Sequence, residues 1–188
     1  SKVGNHSLDW MLGLRNSFSY KVFNLSFQVD FRIGGDIYSA TASNLFVRGN
    51  AAGTVVNGER QDFVVPNTVV RKDGGYVEHN VPVTHQNYWE RIGSTGNYGL
   101  PEVFTYDATN IRLRNITLGY TFNRAMLKKT PFQRLNLSAT CNNVWMIHYN
   151  LPGIDPESVS ATNTNATGFE NGAAPTSRSF TFNVTVGF

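Results

Sequence analysis

Hydrophobic and polar residues alternate along several stretches of the chain. Between residues 23 and 33 every odd position is apolar, from Phe23 to Ile33, and every even position is polar, from Asn24 to Arg32. The same alternation, with few exceptions, runs through 10–20, 135–149 and 178–188. Because successive side chains of a strand point to opposite sides, this pattern predicts β-strands with one apolar and one polar face.

A fifth strand is predicted over residues 110–122, where the alternation changes phase. Ile111 and Leu113 are apolar at odd positions, whereas the apolar residues from Ile116 to Phe122 occupy even positions. A β-bulge adds one residue to a strand and so shifts the phase of its side chains. We therefore expect a bulge near Arg114–Asn115.

The connections between these strands alternate between short and long. Residues 21–22 and 123–134 are short links, whereas 34–109 and 150–177 are long. Such an order is typical of a transmembrane barrel, with short turns on one side and long loops on the other. A strand of about 9–11 residues crosses a bilayer, whereas strands of soluble proteins average about 5–6. The pattern predicts an all-β, antiparallel, up-and-down transmembrane β-barrel segment of about five strands.

The composition agrees with a membrane wall and excludes several other classes. Charged residues make up 15% of the chain, against about 25% in an average soluble domain. The net charge of +3 is scattered, with no basic face carrying interleaved aromatic residues, so we expect no nucleic-acid binding. The single Cys141 and the four histidines show no zinc spacing and no nucleophile with a base, so we expect no cofactor, no metal and no enzyme activity.

A second hypothesis is a soluble carbohydrate-binding β-sandwich module. In a soluble sandwich the apolar faces form the core, whereas in an outer-membrane barrel they meet lipid. In both cases the polar face of Asn, Ser and Thr offers hydrogen-bond donors and acceptors without fixed charge, which suits polyhydroxylated or peptide ligands.

Four residues of the long loops are candidate ligand contacts. Tyr88, Trp89 and Tyr98 are aromatic residues that could stack on sugars, and packing within the loop is the alternative role for each. Asp155, with Glu157 nearby, could bind a cation or ligand, and the alternative is a turn around the proline between them.

The last strand resembles the assembly signal of outer-membrane proteins. It alternates up to a terminal phenylalanine, through Phe180, Phe182, Val184, Val186 and Phe188. The resemblance implies that the barrel-assembly machinery recognises this strand and that its carboxyl end lies in the periplasm. The short turns are then periplasmic, and the loops 34–109 and 150–177 are extracellular.

The strand with the phase shift carries a distinctive motif. Its residues are Arg112, Leu113, Arg114, Asn115, Ile116, Thr117, Leu118, Gly119 and Tyr120. They resemble the late-barrel motif of SusC/RagA-type TonB-linked outer-membrane proteins of Bacteroidetes. The segments Gly34–Tyr38 and Gly153–Glu157 resemble the same family, and the resemblance runs through nearly the whole chain, least in 50–100.

The resemblance implies a location in the bacterial outer membrane and TonB-energised import of a nutrient of the glycan or oligopeptide class. It also implies a SusD-like surface lipoprotein as partner, contact with membrane lipid, and contact with TonB through an N-terminal region that this chain lacks. Since the smallest barrels have about eight strands, we expect residues 1–188 to be the C-terminal part of a longer transporter.

Overall fold

A computed structural model describes residues 3–55, 58–93, 99–159 and 166–188. The strands, in chain order, are β1 (Trp10–Tyr20), β2 (Phe23–Ile33), β3 (Asp36–Ser39), β4 (Val69–Lys72), β5 (Gly75–Glu78), β6 (Thr105–Asp107), β7 (Asn110–Thr121), β8 (Arg134–Tyr149), β9 (Phe169–Glu170) and β10 (Ser179–Gly187). The α-helices are α1 (Ala40–Val47), α2 (His85–Ile92) and α3 (Arg124–Leu127), and two short 3₁₀ helices span Ala52–Thr54 and Pro101–Phe104. None of the helices in this described part is long and apolar enough to cross a membrane.

The chain divides into two compact units. The sheet unit comprises Asn5–Ile37, Asp107–Ser158 and Ala173–Phe188, and the loop unit comprises mainly Tyr38–Tyr106 and Val159–Gly172. The sheet unit holds a five-stranded antiparallel sheet in the order β1-β2-β7-β8-β10. Each long strand pairs with the long strand before it, so the predicted all-β, up-and-down antiparallel arrangement is confirmed.

Pairing in the sheet brings like residues together in rows. Thr117 pairs with Ser26 on one side and with Thr140 on the other, and the Thr117 and Thr140 hydroxyl oxygens lie 2.8 Å apart. One residue further along, Leu118 pairs with Leu25 and with Ala139. The sheet therefore has one face of hydroxyls and amides and one face of aliphatic and aromatic groups.

The apolar face is open to the surroundings. Phe182 in β10 is 78% exposed, Trp10 in β1 is 74% exposed, and Leu118 in the middle strand is 52% exposed. A soluble sandwich would cover such a face with a second sheet. An uncovered apolar face that extends over all five strands is the kind of surface that a membrane barrel presents to lipid.

A β-bulge lies at the position where the apolar residues change phase. Gln28 pairs with Asn115, but the next residue, Val29, pairs with Leu113, so Arg114 is the extra residue in β7. Opposite this point, Asn143 in β8 has a positive φ of 50°. The bulge turns Arg114 toward the polar face and keeps the apolar residues on both sides of it on the apolar face.

The segment between β2 and β7 leaves and returns at neighbouring strand ends. The Gly34 amide donates to the Thr109 hydroxyl at 2.9 Å, and the Ala108 amide donates to the Gly35 carbonyl at 2.8 Å. Gly34 has a φ of +79°, and a Cβ there would collide with the Asp9 carboxylate. Glycine is therefore required where the strand ends.

The loop unit has its own core. The Ser43 hydroxyl of α1 donates to the Gly93 carbonyl at the end of α2, at 2.8 Å, and Phe104 is only 1% exposed. Within this unit, Tyr38 and Ser39 of β3 pair in parallel with Phe169 and Glu170 of β9. The long segment is therefore folded, with helices, a hairpin and strands, rather than an irregular loop.

A buried carboxylate joins two distant parts of the loop unit. Glu170 is 1% exposed and accepts hydrogen bonds from the hydroxyls of Ser39, at 2.5 Å, and Thr41, at 2.6 Å. The Thr41 hydroxyl also accepts from the Gly172 amide at 2.7 Å. The segment around β9 is thereby attached to the start of α1.

An arginine substitution on the apolar face should reduce the stability of the membrane-inserted protein far more than one on the polar face. We expect Phe182→Arg to destabilise the membrane-inserted protein by about 2–4 kcal/mol, because an arginine near the bilayer midplane faces lipid. The neighbouring Thr181→Arg, on the opposite face, should change stability by less than about 1 kcal/mol. Unfolding of the two variants in lipid bilayers measures the difference, and equal losses would contradict a lipid-facing apolar surface.

Candidate functional site

One cluster of charged residues lies on the polar face, which otherwise carries mainly Asn, Ser, Thr and Gln. It contains three arginines and three carboxylates, contributed by β2, β7 and the segment that follows β8: Asp30, Arg32, Arg112, Arg114, Asp155 and Glu157. The formal charges balance. We call these six residues the ionic cluster.

Arg112 and Asp155 form the most buried pair of the ionic cluster. The Arg112 Nη2 to Asp155 Oδ1 distance is 2.5 Å, and their side chains are 3% and 5% exposed. Thr176 completes this contact: its hydroxyl lies within hydrogen-bond distance of Arg112 Nη1, and it is 2.5 Å from Asp155 Oδ2. The amides of Thr176 and Glu157 also donate to Asp155, at 3.1 and 3.0 Å.

These donors keep Asp155 ionised. Burial acts to raise the pKa of the Asp155 carboxyl group, but the hydrogen bonds from the Thr176 hydroxyl, the two amides and the Arg112 charge outweigh it. The pKa of Asp155 therefore lies below its ordinary value. The carboxylate has protein donors on both oxygens, which is the arrangement of an anchor in a turn.

Glu157 connects the same segment to three arginines. Arg114 donates from Nη1 and Nη2 to the two oxygens of Glu157, at 2.9 and 2.8 Å. Arg32 Nε lies 3.3 Å and Arg112 Nε 3.8 Å from Glu157 Oε1. A paired, bidentate arginine contact is both strong and directional.

Arg114 is the link between the strands and the returning segment. Besides holding Glu157, its Nε donates to Asp30 Oδ2 in β2 at 2.7 Å. Arg114 shares the polar face with Arg112, two residues before it, as alternate residues of a strand do. The phase shift places Asn115 on the polar face directly after Arg114, so that Leu113 and Ile116 both stay on the apolar face.

The ionic cluster attaches the segments before and after the second long loop to the sheet. Asn143 Nδ2 donates to the Ser177 carbonyl at 2.8 Å, and Arg178 Nη2 donates to the Val144 carbonyl at 2.6 Å. Together with the Asp155 and Glu157 contacts, these bonds hold residues 153–158 and 175–178 on the polar face.

In the described part of the chain, no group of three His, Cys, Asp or Glu residues is arranged to hold a metal ion.

The loop aromatics occupy a different environment. The Trp89 ring centroid lies 4.3 Å from that of Phe46, 6.1 Å from that of Phe104 and 5.0 Å from that of Tyr88. Tyr88 and Trp89 therefore contribute to packing inside the loop unit, and ligand contact by either stays a prediction. Tyr98 lies outside the described residues.

The motif residues divide between the two faces. Arg112 and Arg114 enter the ionic cluster, and Asn115 pairs with Gln28 and Asn142 on the polar face. Gly119 also lies in the polar row, between Asn24 and Ser138. The other members belong to apolar rows: Leu113 pairs with Val29 and Trp145, Leu118 with Leu25 and Ala139, and Tyr120 with Phe23 and Leu137. Some motif residues therefore form the apolar face of the sheet, and others bind the segment that follows β8.

The strand predicted to be an assembly signal lies at an edge of the sheet. Phe180, Phe182, Val184 and Val186 are exposed on its apolar face, and the Phe188 ring lies 5.6 Å from that of Phe132. Within the described residues, β10 pairs with β8 alone. Recognition of this strand by an assembly machinery stays a prediction.

Two members of the ionic cluster were not singled out from the sequence. Asp30 and Arg32 stand in the polar phase of β2, at the end of a run that otherwise carries Asn, Ser and Gln. The two charges in β2, together with the two arginines of the motif strand, are the sequence signal for an ionic cluster. It did not reveal the partners, because Asp30 and Arg114 are 84 residues apart in the chain.

Removing the charge of Glu157 should release the returning segment. We expect Glu157→Gln to destabilise the protein by about 3 kcal/mol, because it leaves partly buried guanidinium groups without a counter-charge. Denaturant unfolding in detergent and the protease sensitivity of residues 150–177 measure the effect. Glu78→Gln, at an exposed carboxylate in β5, is the matched control and should change stability by less than about 0.5 kcal/mol. Equal effects would contradict the anchor.

Acid should weaken the Asp155 contact only at low pH. Because its folded-state pKa is lowered, the stabilisation is present above the ordinary value of 3.8 and is lost as pH falls through the lower folded value. We expect proteolysis of residues 150–177 to stay slow from pH 7 down to about 4, using an acid-active protease at the low end. Asp155→Asn should be cut faster already at pH 7. Rapid proteolysis of residues 150–177 in the wild type already near pH 6 would contradict a lowered pKa of Asp155.

The sequence has curated relatives, although no family model matches it. It is 32% identical to TonB-dependent receptor P39 of Formosa agariphila over 156 residues, which is 82% of this chain and 14% of that protein. It is 26% identical to TonB-dependent receptor P3 of the same organism over 196 aligned residues, which is 99% of this chain and 17% of that protein. The chain thus spans about one sixth of the length of these relatives.

Solved structures share the fold. The RagAB peptide importer in its open-open state matches 95% of this chain and 17% of the importer chain, with a TM-score of 0.56 and 13% identity. In its closed-closed state it matches 94% of this chain and 17% of the importer chain, with a TM-score of 0.59 and 14% identity. The resemblance carried by the motif strand is thereby confirmed: the chain is similar to TonB-dependent receptors over most of its length and shares its fold with a chain of the RagAB importer. TonB-dependent receptors are proteins of the bacterial outer membrane.

Proposed function

We propose that this chain forms part of the wall of a transporter that imports a bulky nutrient across the outer membrane with energy from TonB. The observation that carries the proposal is the 32% identity to a TonB-dependent receptor over 82% of the chain. The exposed apolar face and the hydrophilic face of the sheet support it, because a barrel wall needs both. The soluble carbohydrate-binding module is less well supported, since its apolar face would be covered.

The chain is proposed to be the C-terminal portion of the barrel, with long extracellular loops. The five long strands in the described ranges are fewer than the roughly eight that the smallest barrels need. The chain covers only 14% and 17% of the length of the two relatives, which agrees with this proposal. In the proposal, the plug and the segment that contacts TonB belong to the remainder of the receptor, and the role of this portion is structural and recognitional rather than catalytic.

A SusD-like surface lipoprotein is the proposed partner on the extracellular side. The support is the shared fold with a chain of the RagAB importer, together with the folded loop unit, which offers surface beyond the sheet. Tyr88, Trp89 and Asp155 remain the proposed ligand-side candidates from this chain. The proposed substrate class is oligopeptide or glycan, and the peptide importer among the fold neighbours supports the first.

Uptake assays test the function. In a strain deleted for the receptor and complemented with it, we expect accumulation of either labelled oligopeptides or labelled oligosaccharides, and its loss when TonB is absent or the proton-motive force is collapsed. A complementing receptor with Phe182→Arg should show little uptake because less of it assembles, and Thr181→Arg should restore it. Uptake that does not depend on TonB would contradict the proposal.

The edge strand β10 is proposed to be recognised by the barrel-assembly machinery, through its row of apolar residues from Phe180 to Phe188. We expect Phe188→Ala to lower the amount of heat-modifiable barrel in the outer membrane several-fold, whereas Phe188→Tyr retains the aromatic ring and should assemble normally. Unchanged barrel levels in the alanine variant would argue against the assembly-signal assignment.

A further inference from the structure

The apolar face carries a groove near the end where β7 and β8 are joined by a short turn. Its volume is about 290 Å³, and it is lined almost wholly by apolar groups of β2, β7, β8 and β10, including Phe23, Leu118, Leu137, Ala139 and Phe182.

The groove exists because small residues interrupt rows of large ones. Ala139 pairs with Leu118 on one side and with Phe182 on the other, so a methyl group lies between a leucine and a phenylalanine. Leu137 of β8 and Val184 of β10 line the same depression on either side of this methyl group. The result is a slot of the shape that takes an unbranched hydrocarbon chain.

A basic pocket lies in the turn beside this part of the face. The turn between β7 and β8 spans residues 122–133, and it contains Arg124, Lys128 and Lys129 but no acidic residue. Arg124 and Lys128 line a cavity of about 470 Å³, together with polar groups that include Thr130 and Gln133. Within the described residues, none of the three cations has an ion-pair partner.

The distance between the apolar groove and the basic pocket matches the distance between the acyl chain and the headgroup of an amphiphile. Strands rise by about 3.3 Å per residue, so Leu137 and Ala139 lie roughly 10–17 Å along β8 from the strand's start at Arg134. Aromatic rings stand between the charged and apolar parts: Tyr120 and Phe122 are in contact at 4.8 Å between centroids, and Phe132 packs against Phe188. Rings at this level mark the boundary between headgroups and acyl chains.

We infer that the sheet unit binds one anionic phospholipid here, with an acyl chain in the groove and its phosphate at the cations of the turn. The charge selects the lipid: three unpaired cations without a carboxylate favour a headgroup of net negative charge over a zwitterionic one. The apolar slot favours an amphiphile over free phosphate, because only the amphiphile also buries apolar surface in the groove. This site is independent of the imported substrate and lies on the opposite face from the ionic cluster.

Lipid titration of the purified, delipidated receptor tests the inference. Native mass spectrometry should detect one tightly retained phosphatidylglycerol and at least fivefold less retention of phosphatidylethanolamine. The triple variant Arg124→Gln, Lys128→Gln, Lys129→Gln should remove this preference, and Ala139→Phe should lower retention of phosphatidylglycerol by filling the slot. The control pair Arg71→Gln and Lys72→Gln, exposed in β4, should behave as wild type.

Three results would overturn the site. They are equal retention of the two lipids by the wild type, unchanged retention by the triple variant, and displacement of phosphatidylglycerol by millimolar inorganic phosphate. The heat-modifiability of each variant shows whether its barrel has formed. If the triple variant does not assemble, Lys128→Gln alone should still reduce the preference for phosphatidylglycerol, and an unchanged preference there would equally count against the site.

Discussion

Continuous backbone pairing in one register is the constraint on which the rest of this structure depends. The hydrocarbon region offers no water to unpaired amide and carbonyl groups, so long strands there must pair along their length. Since side chains alternate with a period of two, a slip of one residue would turn every phenylalanine of a strand to the polar side. The observed register instead places Leu25, Leu118 and Phe182 on one face and Ser26, Thr117 and Thr140 on the other.

The bulge in β7 reconciles this constraint with the need for charge on the polar face. Arg114 is the inserted residue: it lies on the polar side with Arg112 and is followed there by Asn115, while Leu113 and Ile116 both remain on the apolar side. Buried charges are costly unless they are paired and hydrogen-bonded. Here the pairing comes from Asp155 and Glu157, so the segment after β8 becomes part of the wall rather than a free loop.

Prediction from the sequence succeeded where the signal was local. Strict alternation indicated the strands and their two faces, and the change of phase indicated the bulge. It stopped at the ionic cluster: Arg112 and Asp155 were each singled out, for different reasons, but they are 43 residues apart and nothing local joins them. The loop unit was also beyond the pattern, because its short helices and strands have no sustained period. The packing of Trp89 against Phe46 depends on two helices meeting.

The sequence by itself determined which side chains share a face, where the phase shifts and which turns are short, because each of these follows from the spacing of neighbouring residues along a strand. The tertiary structure alone decided which charges meet, which small residues open a slot between large ones, and which loop segment is held on the wall. Those outcomes depend on the register between strands and on the path by which the chain returns, and both are set by contacts between residues far apart in the sequence.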